Sequence, residues 1–171
     1  YCGYIGGAGW EGNAIIRSGI AVDASGHAHV AGRTESSEHS FPVKWGPDLT
    51  YNGTGMASDL FVAKVYPTGA GLVYCGYIGG SGHDEGGRVA VDSTGNAYVV
   101  GCARSDAKTF PVKIGPDLTH GGPGDAFVAK VALTHLEGTG NPRPGSSMSL
   151  FLAATMSAGL PYQLGSSWGT G

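Results

Sequence analysis

The residues best able to do chemistry cluster in two short stretches. His83, Asp84 and Glu85 offer one imidazole and two carboxylates in a row, preceded by Ser81, and Arg104, Asp106 and Lys108 follow some twenty residues later. Such a set could offer a cation a nitrogen and two carboxylates, and a tight cluster with Arg104 around a bound metal would mark an enzyme. Seventy-odd residues earlier the corresponding positions hold Trp10, Glu11, Asn13 and Arg17, then Arg33, Glu35, Glu38 and His39. We take His83, Asp84, Glu85, Arg104, Asp106, Trp10, Glu11 and Arg33 as the candidate ligand-binding residues. The simpler reading of the same residues is solvated loop. A hard cation wants six or more oxygens, and the sequence has no spaced run of aspartates to supply them.

His27 and His29 are two apart, so on a strand both rings point to one side, where they could meet zinc or copper. With His83 they are the weak metal candidates. The aligned residues of the second repeat are Asn96 and Tyr98, which favours packing over ligation. No cofactor is expected. Asp23 and Asp92 recur within Asp-x-x-Gly and read as turn caps. Asp59 and Asp125 recur just before a strand and read as turn or inter-blade acceptors. The three cysteines make neither a disulfide framework nor a zinc spacing. Gly80-Ser81-Gly82 is no nucleophile elbow, and no helix follows the glycine-rich Gly76 to Gly82 to aim its amides at a phosphate. No catalytic residue is assigned.

The elements that position these residues come in repeats. Tyr1 to Gly7 returns unchanged as Tyr74 to Gly80. Ala21-Val22-Asp23-Ala24-Ser25-Gly26 returns as Ala90-Val91-Asp92-Ser93-Thr94-Gly95, Phe41-Pro42-Val43-Lys44 as Phe110 to Lys113, and Phe61 to Val65 as Phe127 to Val131. The offsets are 73, 69 and 66, so length changes fall between the blocks, where loops tolerate them. Each unit reads as a four-stranded design, with Gly19 to Val22, His27 to Ala31, Leu60 to Val65 and Leu72 to Ile78 in the first; the second shows Arg88 to Val91, Asn96 to Val100 and Ala126 to Val131 and is expected to lack its fourth strand after Val131. Phe61, Ala63 and Val65 alternate with Val62 and Lys64, the period of two expected of a sheet. In such a meander, the loops before the first strand and after the second open at the same end, so the candidate residues can converge.

Four-stranded units in tandem bury both faces by stacking around an axis. The fold class expected is all-β: tandem four-stranded antiparallel blades of an incomplete β-propeller, about two blades, followed by the start of a β-sandwich module. The propeller segment spans 1–137, with units at about 15–80 and 86–137 and an orphan strand at 1–5. A linker spans 138–146, and a C-terminal β module begins at 147–171, although a helix over Ser149 to Ser157 also fits the residues. Two blades cannot close a ring, and Tyr1 to Ile5 matches a fourth strand with no third before it. The chain therefore reads as a piece of a longer protein or as a unit that completes its blades with another chain.

The blocks Val91 to Gly101, Phe110-Pro111, Gly124 to Val131 and Leu72 to Gly82, in this order within the repeat, resemble the SBBP family of bacterial β-propeller repeats. That resemblance covers about residues 1–131. It implies a secreted or cell-surface bacterial protein and carries over no catalytic residues. Bulk properties agree with a neutral surface scaffold. The net charge is −3 with ten scattered basic residues, which gives no electrostatic footprint for nucleic acid, and no apolar run is long enough for a helical membrane span. The expected function is a non-catalytic extracellular scaffold or binding module presenting loops to a protein or glycan. The alternatives are a propeller lyase or hydrolase with a metal-assisted site on the loop face, and a structural subunit of a surface fibre that self-associates through unpaired blade edges. Trp10, Trp45, Tyr51 and Trp168 are the aromatics that could stack on sugars or equally plug the ends of the sheets.

Overall fold

The computed structural model of the protein describes residues 1–12, 18–133 and 148–154. All its regular elements are strands: β1 (Gly19–Val22), β2 (Ala28–Thr34), β3 (Asp59–Val65), β4 (Leu72–Ile78), β5 (Asp84–Val91), β6 (Ala97–Ala103), β7 (Asp125–Leu133) and β8 (Met148–Ala154). They form two antiparallel four-stranded sheets, ordered β1-β2-β3-β4 and β5-β6-β7-β8. The expected all-β, blade-like repeat is therefore present; β1 and β4 have the predicted bounds, and the largest difference in bounds is at β5, which begins at Asp84 rather than Arg88. The other difference comes at the end of the chain. The sequence places residues from 147 onward in a following module, with a helix as the rival for the first of them. Met148–Ala154 instead runs antiparallel to β7 as the fourth strand of the second sheet. The 138–146 linker and the rest of the C-terminal module lie outside the described residues.

The short hairpins are fixed by their first aspartate. In the β1–β2 turn the Asp23 carbonyl accepts from Gly26 N at 2.9 Å, and the Asp23 carboxylate accepts from Ser25 N and His27 N, both at 2.9 Å. Gly26 takes a φ of 83°, a conformation that costs a residue with a Cβ. Asp92 does the same for Thr94 N and Asn96 N, with Gly95 at φ 82°. The turn-capping role predicted for both aspartates is what the hydrogen bonds show.

The long loops at the other end are folded down rather than free. Phe41 and Phe110 turn back onto the third-strand phenylalanines, with ring centroids 5.2 Å (Phe41–Phe61) and 5.0 Å (Phe110–Phe127) apart. Lys44 then exchanges two backbone hydrogen bonds with Cys75, which covers the outer edge of β4.

Alternation sends the two faces of the first sheet to different neighbours. Leu60, Val62, Tyr74 and Ile78 pack on Val99, Phe110, Phe127, Ala129 and Val131 of the second sheet, and this is the main core. The opposite face holds Phe41, Phe61, Ala63, Cys75 and Tyr77, with Ile5 against them. The sheets approach closely at their inner strands, where a Cβ on Gly19 would collide with the Gly87 carbonyl. Farther out the large side chains of Tyr74 and Ile78 on β4 lie in the core between them, an arrangement consistent with incomplete propeller blades.

Candidate functional site

The loop end gathers residues 6–12, the β2–β3 loop, the β4–β5 connection and the β6–β7 loop. Asp84 stands at its centre. The carboxylate is fully buried and accepts from Gly80 N at 2.7 Å, Arg104 N at 3.0 Å, Ser105 N at 3.1 Å and Ser105 Oγ at 2.6 Å. A carboxylate in this setting ties two loops together and presents no oxygen to a ligand. Glu11 plays the matching part in the first sheet, accepting from Thr34 Oγ1 at 3.1 Å and from Ser36 Oγ. Asp106 accepts from Lys108 N at 3.0 Å and Thr109 N at 3.2 Å.

The remaining candidates divide by exposure. His83 sits beside Asp84 in the chain, but its ring meets Ser58 Oγ at 3.2 Å, and its carbonyl accepts from Arg104 N at 3.1 Å. Arg104 is exposed and Glu85 half-buried on β5. Arg33 is buried, with Nη2 paired to Glu35 and Nε without a hydrogen-bond partner. Trp10 is 74% exposed, and its carbonyl is held by Glu35 N at 2.9 Å. Asn13 and Arg17 lie outside the described residues, as does Trp168. Tyr51 is no exposed stacking platform: its ring lies against Tyr77 at 5.8 Å and its hydroxyl donates to the Ala57 carbonyl.

Two features escaped sequence reading. The first is the burial of Asp59, read from the sequence only as a turn or inter-blade acceptor: it is fully buried at the start of β3, with Oδ2 accepting from Asn52 N at 3.0 Å and Oδ1 without a partner. Burial, opposed in part by the Asn52 amide and reinforced by the charges of Asp84 and Asp48, raises its pKa to about 7. The second is a cavity of about 430 Å³ at the loop end of the second sheet, with Phe110, Phe127 and Leu118 on its apolar side and Ser105, His120 and Asp125 among its polar groups. The recurrence of Ser36 as Ser105 and of Ser40 as Thr109 was the available sign of the loop-end network. Nothing in the sequence marked the cavity.

At the turn end, His27 and His29 do not converge on an open site. Both meet Asp23, through Nδ1 of His27 at 3.3 Å and Nε2 of His29 at 3.2 Å, and Lys64 Nζ lies 2.8 Å from the same carboxylate. His29 is fully buried and its other nitrogen meets the Tyr74 hydroxyl at 3.3 Å. The packing role expected for the pair fits this geometry, with a lysine ammonium supplying the positive charge. Burial works against ionised Asp23, but Lys64, the His27 amide and His29 together hold its pKa well below the usual carboxylate range. Burial likewise lowers His29, which stays neutral. Among the described residues no three His, Cys, Asp or Glu side chains are grouped to hold a metal. No helix there is long and apolar enough to cross a membrane.

Residues 74–103 match the family model of the SBBP beta-propeller repeat. The matched stretch runs from β4 through the Asp84 connection to the end of β6, so one sequence repeat bridges two sheets. The match covers this one repeat, and the two antiparallel sheets are consistent with incomplete propeller blades, an architecture consistent with binding or scaffolding. No curated protein matches the chain.

Proposed function

We propose that the chain is a non-catalytic binding or scaffold module of the cell surface or extracellular space that presents its loop end to glycan or protein partners. The observation that carries this reading is the state of Trp10. Trp10 is 74% exposed while its carbonyl accepts from Glu35 N of the β2–β3 loop. An exposed aromatic ring on an anchored backbone is suited to stacking on a sugar ring, and the anchored backbone lowers the entropy cost of binding. The tied carboxylates support the same reading, because buried Asp84 and half-buried Glu11 are occupied in holding the loops. The resemblance to bacterial repeat proteins supports the extracellular setting.

The test is a polysaccharide array probed with the 171-residue chain and with Trp10→Ala. Retention of a polysaccharide by the chain, weakened about tenfold or more in the variant at unchanged Tm, supports the proposal. Equal binding by both proteins, or no retention at all, overturns it. Release of new reducing ends that is lost in His83→Ala would replace it with the hydrolase or lyase reading.

A further inference from the structure

Asp59 sits under a short flap of the β2–β3 loop. It is fully buried at the start of β3, and its Oδ2 accepts from Asn52 N at 3.0 Å. The chain from Asn52 to Asp59 thus closes a clasp on its own last residue. Inside the clasp Ala57 N donates to the Thr54 carbonyl at 3.0 Å, and the Tyr51 hydroxyl donates to the Ala57 carbonyl. Asn52 Nδ2 ties the base of the flap to Asp48 Oδ2 at 2.8 Å and to the Thr50 carbonyl at 3.1 Å. From Gly53 to Ala57 the hold on the rest of the molecule is slight. Among the described residues, the hydrogen bonds of this stretch to anything outside 51–59 are those of Thr54, whose Oγ1 and N donate to the Ser81 carbonyl at 3.0 and 3.4 Å. Thr54, Gly55 and Met56 are exposed.

The other carboxyl oxygen is poorly placed for a charge. Asp59 Oδ1 has no hydrogen-bond partner, and Gly79 of the β4–β5 connection lies so close that a Cβ there would collide with it. A negative oxygen in that place is both dry and unpaired, which is costly. Its neighbours add to the cost: Asp84 of β5 and Asp48 of the same loop both face Asp59. Tyr51 of the loop and Tyr77 of β4 also lie within reach of its charge. The remaining charged and titratable groups around it are engaged elsewhere. Arg33 on β2 pairs with Glu35. Glu11 accepts from Thr34, the register partner of Asp59. His83 meets Ser58 Oγ, and Glu38 accepts from Tyr51 N at 3.1 Å. A proton on Asp59 removes the charge.

We propose that residues 51–57 are a proton-operated flap, closed while Asp59 holds its proton and free to lift when that proton passes to solvent. Lifting parts Thr54 from Ser81 and lets water reach the carboxylate. In the closed form burial, with the charges of Asp84 and Asp48, keeps the proton on Asp59 up to about pH 7. In the open form the hydrated carboxyl releases it near its ordinary 3.8. The closed form is therefore most favoured below the lower value. It loses about tenfold per pH unit up to the higher one, above which the balance is level. Glu38, held low by backbone amides, acts in the opposite direction only below the ordinary carboxylate range. The loop end that carries Trp10 thus stays shut in mildly acidic solution and opens more readily near neutrality. This inference needs no ligand and does not depend on the glycan reading.

The experiment is hydrogen–deuterium exchange of the 171-residue chain at about pH 5 and about pH 7, corrected for the intrinsic rate at each pH, in the wild type, Asp59→Asn and Thr54→Val. In the wild type, opening at the Asn52 and Ala57 amides should rise about tenfold or more from the lower pH to the higher, while the β3 amides of Phe61 to Ala63 change less. Asp59→Asn should remove the rise and leave the flap as closed at the higher pH as the wild type is at the lower. Thr54→Val takes away the side-chain bond to Ser81 and should raise opening about three- to tenfold at both pH values. A flat wild-type profile overturns the proposal, as do flap and β3 amides that change together. A rise that survives in Asp59→Asn, as it would if His83 drove it, overturns it too. The wild-type profile and the exposed Thr54 carry the test if Asp59→Asn does not fold, and unchanged opening in Thr54→Val counts against the flap.

Discussion

The two sheets carry the same aspartate-and-lysine pair in the same register, and only one of the pairs is buried. In the first sheet Asp23 and Lys64 are 2.8 Å apart, with side chains 4% and 10% exposed. In the second, Asp92 and Lys130 are 3.7 Å apart, with side chains 28% and 34% exposed. The turn around each aspartate is nearly identical, so local sequence does not account for the difference. The cause is the neighbouring sheet. Gly95, in the β5–β6 turn of the second sheet, approaches both the Asp23 carboxylate and Lys64 Nζ, and Tyr74 and His29 close the remaining side. At the second pair, Tyr98 holds Asp92 through its hydroxyl at 3.4 Å and lies under Lys130, whose Nζ is 5.2 Å from the ring centroid. Stacking thus turns a surface pair, which contributes little to stability, into one whose halves depend on each other.

The largest expected effect comes from breaking the covered pair. Lys64→Ala leaves Asp23 charged and buried, and should cost about 3 kcal/mol of unfolding free energy in urea titration. Lys130→Ala should leave the midpoint almost unmoved. Equal losses would mean that stacking does not create the contrast.

A smaller effect, of opposite sign, is expected at the loop end of the first sheet. Asp59 has its pKa raised from 3.8 to about 7, so the folded state holds a proton there that the unfolded chain has released. Its contribution makes the protein more stable as pH falls from about 7 toward 4, and less stable as pH rises through that window. Asp59→Asn should therefore stabilise the protein by about 2 kcal/mol at pH 8 and flatten the stability profile between pH 4 and 7. The half-buried counterpart Asp125, whose Oδ2 accepts from Gly121 N at 2.7 Å, should give no comparable gain on the same substitution. A loss of stability at pH 8 in Asp59→Asn would show that this carboxylate is stabilised in its charged form.

The smallest effect concerns His29. Burial holds its pKa below 6.5, so acidification protonates the unfolded chain first, and stability falls below that pH. In thermal melts, His29→Gln should make the fall in stability below pH 6.5 shallower. An unchanged acid limb would assign it to other groups.

Much of this architecture was legible because it is local. Asp-x-x-Gly forms its turn from its own amides, and the alternation of Phe61 to Val65 assigns faces whatever packs on them. The repeated Tyr-Cys-Gly-Tyr-Ile-Gly-Gly marked both β4 and the unpaired N-terminal segment. The site was less legible. His83, Asp84 and Glu85 are adjacent in sequence but diverge, because successive residues at a strand start point to opposite sides. Asp84 turns into the loop network and His83 goes to Ser58. Met148–Ala154 has no repeat signature, and only its pairing with β7 makes it part of the second sheet.

By itself the sequence determined the first seven strands, the turn chemistry, the repeat and the family resemblance, since each rests on contacts within a few residues or on recurrence that can be counted. The tertiary structure decided which of two equivalent ion pairs is dry, and that Asp59 is a buried carboxyl with a raised pKa. Those outcomes depend on what a neighbouring sheet brings from dozens of residues away. Burial alters the free energy of a charge or an aromatic ring far more than the identity of its chain neighbours does.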